Sequence, residues 1–226
     1  MDIGLIGGLW MPPSVWDPVL GELEALGHRG VPVTLPGQGD GNDTATFEDQ
    51  AAAVAAAVDA ADSPVVVGHS AASTLACVAA DARPEAVSAV AFIGGWPVQD
   101  GEKYADFFPV TDGAMPFPGW EPFEGPDSAD LDDDAKARLA AGAIPVPEGV
   151  ARGVVRYGDG RRYRVRAALI CPEFSPADAQ EMLDGGNLPE LARADRLSLV
   201  DLDSGHWPMV SAPTALARVL AEVAKG

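Results

Sequence analysis

The chain has 226 residues, 47% of them hydrophobic, a length and composition that suit one α/β domain better than two and suffice for a sizeable core. Fifteen basic against thirty-four acidic side chains give a net charge of −19, which disfavours nucleic acid and anionic membrane surfaces as partners. Cys77 and Cys171 lie far apart, with no Cys-X-X-Cys pair and no His/Cys cluster at metal-ligand spacing, so both read as buried thiols and no metal is expected.

The predicted elements alternate from the start. Ile3 to Ile6 reads as a short buried strand opening into the loop Gly7 to Ser14, with no basic region that would mark a signal peptide. Val15 to Leu26 has helical periodicity and Gly27 stops it. Val31 to Leu35 is the next strand, ending at the turn Pro36 to Asp40, and Thr46 to Ala61 is a long Ala/Val helix. Val65 to Val67 is a third, fully apolar strand and Ala71 to Ala80 a helix, so Gly68 to Ser70 must turn the chain sharply between them. Val87 to Ile93 is the fourth strand. At Gly94-Gly95 the alternation stops.

Residues 96 to 163 carry Pro, Gly, Asp and the aromatics Phe107, Phe108, Phe117, Trp120 and Phe123, with short helical stretches near Leu131 to Ala141 and Gly149 to Tyr157. Aromatic and proline residues suit a lid over an apolar pocket, while the run Asp127 to Asp134 alone is polar enough for a disordered loop. Val165 to Cys171 restarts the pattern, followed by a helix at Pro176 to Leu183, a last strand at Leu197 to Leu202 and an amphipathic helix at Ala212 to Ala224. The expected fold class is a doubly wound α/β domain of about six parallel strands, covered by helices on both faces. No apolar run is long enough to cross a bilayer, and a soluble, cytoplasmic setting is expected.

Ser70 lies in Gly68-His69-Ser70-Ala71-Ala72, directly between a hydrophobic strand and an Ala-rich helix. A nucleophile on such a bend stands clear of its neighbours and beside the first free N–H groups of the helix. The plainer role for Ser70 is a helix N-cap. The stretch resembles the nucleophile elbow of α/β-hydrolases, with Ala72 at the usual glycine, and Pro36-Gly37-Gln38-Gly39 resembles another turn of that family. Asp203-Ser204-Gly205-His206-Trp207-Pro208-Met209, directly after the last strand, resembles the histidine loop of small bacterial members. Of the three histidines, His28 falls on a helix-to-strand turn at the far edge, and His69 is adjacent to Ser70 and points away, which leaves His206 as the base.

The resemblance implies a fold trimmed to the parallel core, a lid inserted at about 96 to 163, and a serine hydrolase without cofactor. Its catalytic residues would be Ser70, His206 and an acid between them in the chain. Pro172-Glu173-Phe174-Ser175-Pro176 puts Ser175 where relatives carry aspartate, so Glu173 is the expected acid, with Asp178 and Asp203 as alternatives. The amides of Leu9 and Ala71 are the expected oxyanion donors. Trp10, His69 and Trp207 are the expected substrate-binding residues. The substrate would be a small apolar ester. A hydroxynitrile lyase or C–C bond hydrolase and a catalytically weak small-molecule-binding protein are the rival readings, since one scaffold serves many activities. The sequence leaves open whether the chain is a monomer or a homo-oligomer. Gly7-Gly8 lacks the spacing of a nucleotide loop, and Asp132-Asp133-Asp134 reads as a solvated run.

Overall fold

The computed structural model describes residues 1–226. Strand β1 (Asp2–Ile6) leads through a 3-10 turn into α1 (Asp17–Ala25), and β2 (Arg29–Pro32), α2 (Phe47–Asp59), β3 (Val65–His69), α3 (Ser73–Ala82) and β4 (Ala89–Ile93) follow. The next segment holds β5 (Ala114–Met115), α4 (Asp133–Gly142), β6 (Val146–Pro147) and α5 (Glu148–Ala151). The main pattern then resumes with β7 (Arg166–Cys171), α6 (Pro176–Asp184), β8 (Leu197–Asp201), the short α7 (Pro208–Ser211) and α8 (Pro213–Lys225).

Six of these strands form one parallel sheet in the order β2-β1-β3-β4-β7-β8. Its centre is apolar on both faces: every residue of β3 and β4 is buried, as a strand covered on two sides requires. Helices α1 and α8 pack together, as do α2 and α3. Sequence explains the ends of these helices. Thr46 caps α2 and Ser175 caps α6, each in a reciprocal pair with the aspartate three residues on, Asp49 and Asp178. Helix α8 buries Leu216, Ala217, Leu220, Ala221 and Ala224, the stripe its periodicity predicts.

The second strand begins two residues before Val31 and ends three before Leu35. β2 is an edge strand whose pairing runs from Asp2↔Arg29 to Leu5↔Pro32, with one further bond from the Val33 N–H to the Leu5 carbonyl. Beyond that point β1 has ended, and Thr34 and Leu35 have no strand to pair with. The chain steps from β1 outward to β2, then back across to β3 on the other side of β1. The connections from β1 therefore run to its two sides, which makes the carboxyl ends of β1 and β3 the switch point where ligands usually bind in such sheets.

The segment between β4 and β7 is ordered, including its acidic run. Asp132 caps α4 by accepting the Ala135 N–H at 2.7 Å, and Ser128, Leu131 and Ala135 are buried. β5 and β6 pair antiparallel, and Met115, Val146, Val150 and Ala151 belong to the same contiguous core as the sheet.

A buried cluster ties the returning end of this segment to α3 and the α6–β8 connection. The Arg162 guanidinium pairs with Asp81 at 3.1 Å and Glu190 at 3.0 Å and stacks on the rings of Tyr157 and Tyr163. All three charged side chains are about nine-tenths buried. Removing the arginine strands two carboxylates in the interior, so Arg162→Met is expected to destabilise the fold by about 3–5 kcal/mol. Denaturant unfolding measures this; a loss below about 1 kcal/mol would show that the other donors, the Gly158 and Asp159 N–H groups on Asp81 and the Tyr163 hydroxyl on Glu190, suffice without Arg162.

Candidate active site

Ser70 stands at the carboxyl end of β3 with φ +55°, a left-handed conformation that costs a non-glycine residue about 1–2 kcal/mol. The surroundings fix it there. A Cβ on Gly68 would lie 2.3 Å from the Ala72 carbonyl oxygen, so only glycine lets the following helix fold back onto the strand. A Cβ on Gly95 would lie 2.5 Å from the Ser70 carbonyl oxygen, so the loop after β4 packs directly on the elbow. Ser70 does not cap α3. It begins a 3-10 turn, Ser70–Ala72, and the residue at the N-cap of α3 is Ala72.

The other residue with a strained backbone on this edge is Trp10, at φ +64° in the loop after β1. Its indole N–H donates to the Met115 carbonyl at 3.0 Å, and its own carbonyl accepts the Ile144 N–H at 2.9 Å. Two bonds to the segment above thus hold the loop. The Leu9 N–H, one residue before, donates to no backbone acceptor. Ala71, second in the 3-10 turn, has an N–H without an intrahelical partner. Both residues are buried, directly after β1 and β3.

His206 and Glu173 meet at the end of β7. His206 Nδ1 and Glu173 Oε1 are 2.7 Å apart, and both side chains are nearly nine-tenths buried. A carboxylate only accepts, so Nδ1–H is the donor, and the neutral ring keeps Nε2 as its basic atom. Glu173 Oε2 is buried without a partner. Of the three acids weighed from the sequence, Glu173 alone pairs with the imidazole. Asp178 is occupied in the cap of α6, where the Ser175 hydroxyl and backbone N–H hold its carboxyl below the usual range. Asp203 is exposed and makes no ion pair.

Gly94 and Gly95 locate the dyad relative to the serine. The Cβ position of Gly94 lies 3.0 Å from His206 Nδ1 and about as near both Glu173 oxygens, while that of Gly95 lies 2.9 Å from Ser70 Cα. The glycine pair that ended the strand pattern in the sequence thus makes room for the His206 and Glu173 side chains at Gly94 and for the Ser70 backbone at Gly95, with no hydrogen bond between Ser70 and His206.

His69, expected to touch substrate, has a different place. It is 1% exposed, and its Nε2–H donates to the His206 carbonyl at 2.7 Å, so it braces the histidine loop from behind. Its Nδ1 is buried without a partner. Burial first and the nearby His206 second hold its pKa down to about 3. The ring thus stays neutral in the folded protein while it would titrate near 6.5 when unfolded. The folded state then binds fewer protons below pH 6.5, and this group alone removes about 1.4 kcal/mol of stability per pH unit as pH falls from there toward 3. His69→Gln, whose amide N–H can reach the same carbonyl, should flatten the acid slope by one proton. Urea unfolding at several pH values between 4 and 7 checks this, and parallel slopes for the two proteins would refute it.

From the front, the His206 loop is held by the β4–β7 segment. The His206 N–H donates to the Asp127 carbonyl at 2.7 Å, and the Gly205 N–H donates to the Asp130 carboxylate at 2.6 Å. Burial raises the pKa of the Asp127 carboxyl, with His206 opposing the shift. Sequence reading did not find these two partners, and no local signal points to them.

Trp207 is buried against His206, ring centroids 4.9 Å apart and nearly perpendicular. Trp120 and Phe123 meet its other sides, and Phe117 and Phe108 continue the cluster to Trp10. Trp10 and Trp207 are thus the two ends of an apolar aromatic layer that runs from the β1 loop to the histidine loop. Elsewhere, no group of three or more His, Cys, Asp or Glu is placed to hold a metal ion, Cys77 and Cys171 are free and buried, and no helix is long and apolar enough to cross a membrane.

The sequence pattern described as "Alpha/beta hydrolase family" matches residues 5–219. No curated protein matches the chain in sequence. Among solved structures, it is similar to an extracellular α/β-hydrolase from Paenibacillus that is described as sharing homology with tobacco salicylic acid binding protein 2. That match has 16% identity and a TM-score of 0.81, over 99% of this chain and 98% of the other. A methylesterase from Arabidopsis is similar at 16% identity and TM-score 0.74, over 100% and 99%. A pyrethroid hydrolase from Sphingobium faniae is similar at 22% identity and TM-score 0.69, over 100% and 98%. At these identities the likeness is one of fold.

Proposed function

Because the chain belongs to the alpha/beta hydrolase family, we propose that it is a serine hydrolase cleaving an ester or similar acyl bond of a small apolar substrate. The observation that carries this reading is the 2.7 Å bond between His206 Nδ1 and Glu173, beside a serine held in a strained turn. That bond leaves Nε2 as the free basic atom of the ring, and strain retained at a serine is a mark of a working position.

In this mechanism His206 Nε2 takes the Ser70 hydroxyl proton as Oγ attacks the substrate carbonyl carbon. The negative charge that forms on the carbonyl oxygen is received by the N–H groups of Leu9 and Ala71. His206 then gives its proton to the departing alkoxide, the alcohol leaves, and an acyl group remains on Ser70. Water then attacks the acyl carbon as His206 takes its proton, the bond from that carbon to Ser70 Oγ breaks, His206 returns the proton to Oγ, and the carboxylic acid leaves. Glu173 stays ionised throughout, holds the ring tautomer and stabilises the imidazolium.

The segment from about 96 to 163 acts as the lid, and its Phe108, Phe117 and Phe123, with Trp10 and Trp207, select an apolar acyl or alcohol group. Trp10 and Trp207 contact the substrate, and His69 acts through His206. The ester-cleaving relatives named above support the reaction class. The net charge of −19 supports a small-molecule partner over nucleic acid or membrane, and two free, buried thiols fit a cytoplasmic setting.

A panel of p-nitrophenyl esters of increasing chain length, run beside a cyanohydrin and a β-diketone, tests the proposal. The expected result is saturable ester turnover with preference among short and medium chains. Cleavage of the cyanohydrin or diketone without ester turnover would replace it with a lyase or C–C hydrolase, and ligand binding without turnover of any kind would make the chain a binding protein.

A further inference from the structure

The peptide that leads into His206 is held by the segment between β4 and β7. Gly205 and His206 present two consecutive N–H groups, and each has one acceptor: the Asp130 carboxylate at 2.6 Å for Gly205 and the Asp127 carbonyl at 2.7 Å for His206. The fit is close. A Cβ on Gly205 would overlap the Asp130 carboxylate and lie 2.5 Å from the Asp127 carbonyl oxygen, so glycine is required where the segment lies against the histidine loop. Gly205 is buried, and an N–H left there without an acceptor is costly.

Asp130 differs from its acidic neighbours in where it reaches. Asp132 caps α4, and Asp133 and Asp134 lie in the first turn of that helix, where the helix end alone favours a carboxylate. The Asp130 carboxylate instead makes its one hydrogen bond outside the segment, 75 residues further along the chain. A turn fixes its place: the Ser128 and Ala129 N–H groups donate back to the Gly125 carbonyl, the Leu131 N–H donates to the Ser128 carbonyl, and Ser128 and Leu131 are buried on either side. On the other side of the loop, His69 Nε2–H donates to the His206 carbonyl. The His206 backbone is thus gripped between the end of β3 and this turn.

We propose that Asp130 is a positioning residue for the reaction at Ser70, a carboxylate of the lid that places His206 by fixing the Gly205 N–H. The inference rests on the serine-hydrolase reading above. Asp130 touches no reacting atom; its effect passes through the peptide before His206, where a displacement of about 1 Å can slow a reaction on the order of 10²-fold. The aromatic layer that would bind substrate does not depend on that peptide bond, so kcat carries the effect and KM moves little. Lid and base then act as one unit: a lid lifted at residues 127 to 130 leaves the His206 loop held from one side only.

Ester kinetics and proton NMR of a small set of variants test the assignment. Asp130→Ala is expected to lower kcat roughly 10- to 100-fold with KM within about threefold of wild type. Asp130→Asn, whose amide oxygen can accept the same N–H, should restore kcat to within about fivefold. Asp132→Ala removes the cap of α4 in the same segment and should leave kcat as in wild type. The NMR readout is the proton that His206 Nδ1 shares with Glu173, seen far downfield and independent of turnover. It should be sharp in wild type, Asp130→Asn and Asp132→Ala, and shifted or broadened in Asp130→Ala. Should Asp130→Ala not fold, Gly205→Ala, whose methyl group would displace both acceptors, is expected to show the same fall and the same broadening. The predicted resonance pattern in a protein without ester turnover would remove the hydrolase reading and keep Asp130 as the residue that places His206. Where wild type turns over ester but shows no such resonance, the kcat pattern decides; where it shows neither, both readings fall. Wild-type kcat or an unmoved resonance in Asp130→Ala, an equal fall in Asp132→Ala, or no recovery in Asp130→Asn would overturn the proposal.

Discussion

Ser70→Ala is expected to reduce ester turnover by roughly 10⁴- to 10⁶-fold with little change in substrate binding, because the attacking atom is lost while the oxyanion donors and the apolar layer remain. The same position should reveal its strain in stability measurements. Ser70 sits at φ +55°, which glycine adopts freely and alanine does not. Ser70→Gly should therefore be more stable than Ser70→Ala by about 1 kcal/mol, although both are inactive. Equal stabilities would mean that the turn between Gly68 and Ala72 relaxes when the hydroxyl is absent. Turnover within tenfold of wild type in either variant would remove Ser70 from the chemistry.

Glu173→Gln is the second large effect. The amide can accept from His206 Nδ1–H through its oxygen or present an N–H that favours the wrong tautomer, and in either case the negative charge opposing the imidazolium is gone. A fall of roughly 10³- to 10⁴-fold in kcat is expected, with KM nearly unchanged. Asp178→Asn provides the contrast. It weakens only the cap of α6, costing about 1 kcal/mol of stability, and should leave kcat as in wild type. A Glu173→Gln protein as active as wild type, or an Asp178→Asn protein with a comparable fall in kcat, would move the acid elsewhere.

Most of the parallel core is readable from local chemistry. Val65-Val66-Val67 followed by glycine, serine and an Ala-rich run marks β3, the turn and α3, because three apolar β-branched residues in succession favour a strand buried on both faces. Glu173 is legible because it is the carboxylate immediately after an apolar strand, in the stretch that leads into α6. The Ser175 to Asp178 spacing carries a signal as well: it is that of a reciprocal helix cap, which assigns Asp178 to α6. β2 is shifted because an edge strand pairs only as far as its single neighbour extends, and that length belongs to β1.

The contacts that hold His206 in place are of another kind. Across separations of 75 to 137 residues, the Asp127 carbonyl, the Asp130 carboxylate and His69 Nε2 meet backbone N–H and carbonyl groups of its loop, which any residue would possess. Nothing in Asp127 to Asp134 distinguishes a residue that caps a helix from one that binds the histidine loop until the whole segment is folded over the sheet.

The most direct test of the proposed function is the intact mass of the protein after treatment with a fluorophosphonate, which reacts with a serine only when it is activated. The account predicts a single adduct on the wild type and none on Ser70→Ala. A folded wild type without an adduct, or an adduct that persists in Ser70→Ala, would contradict it.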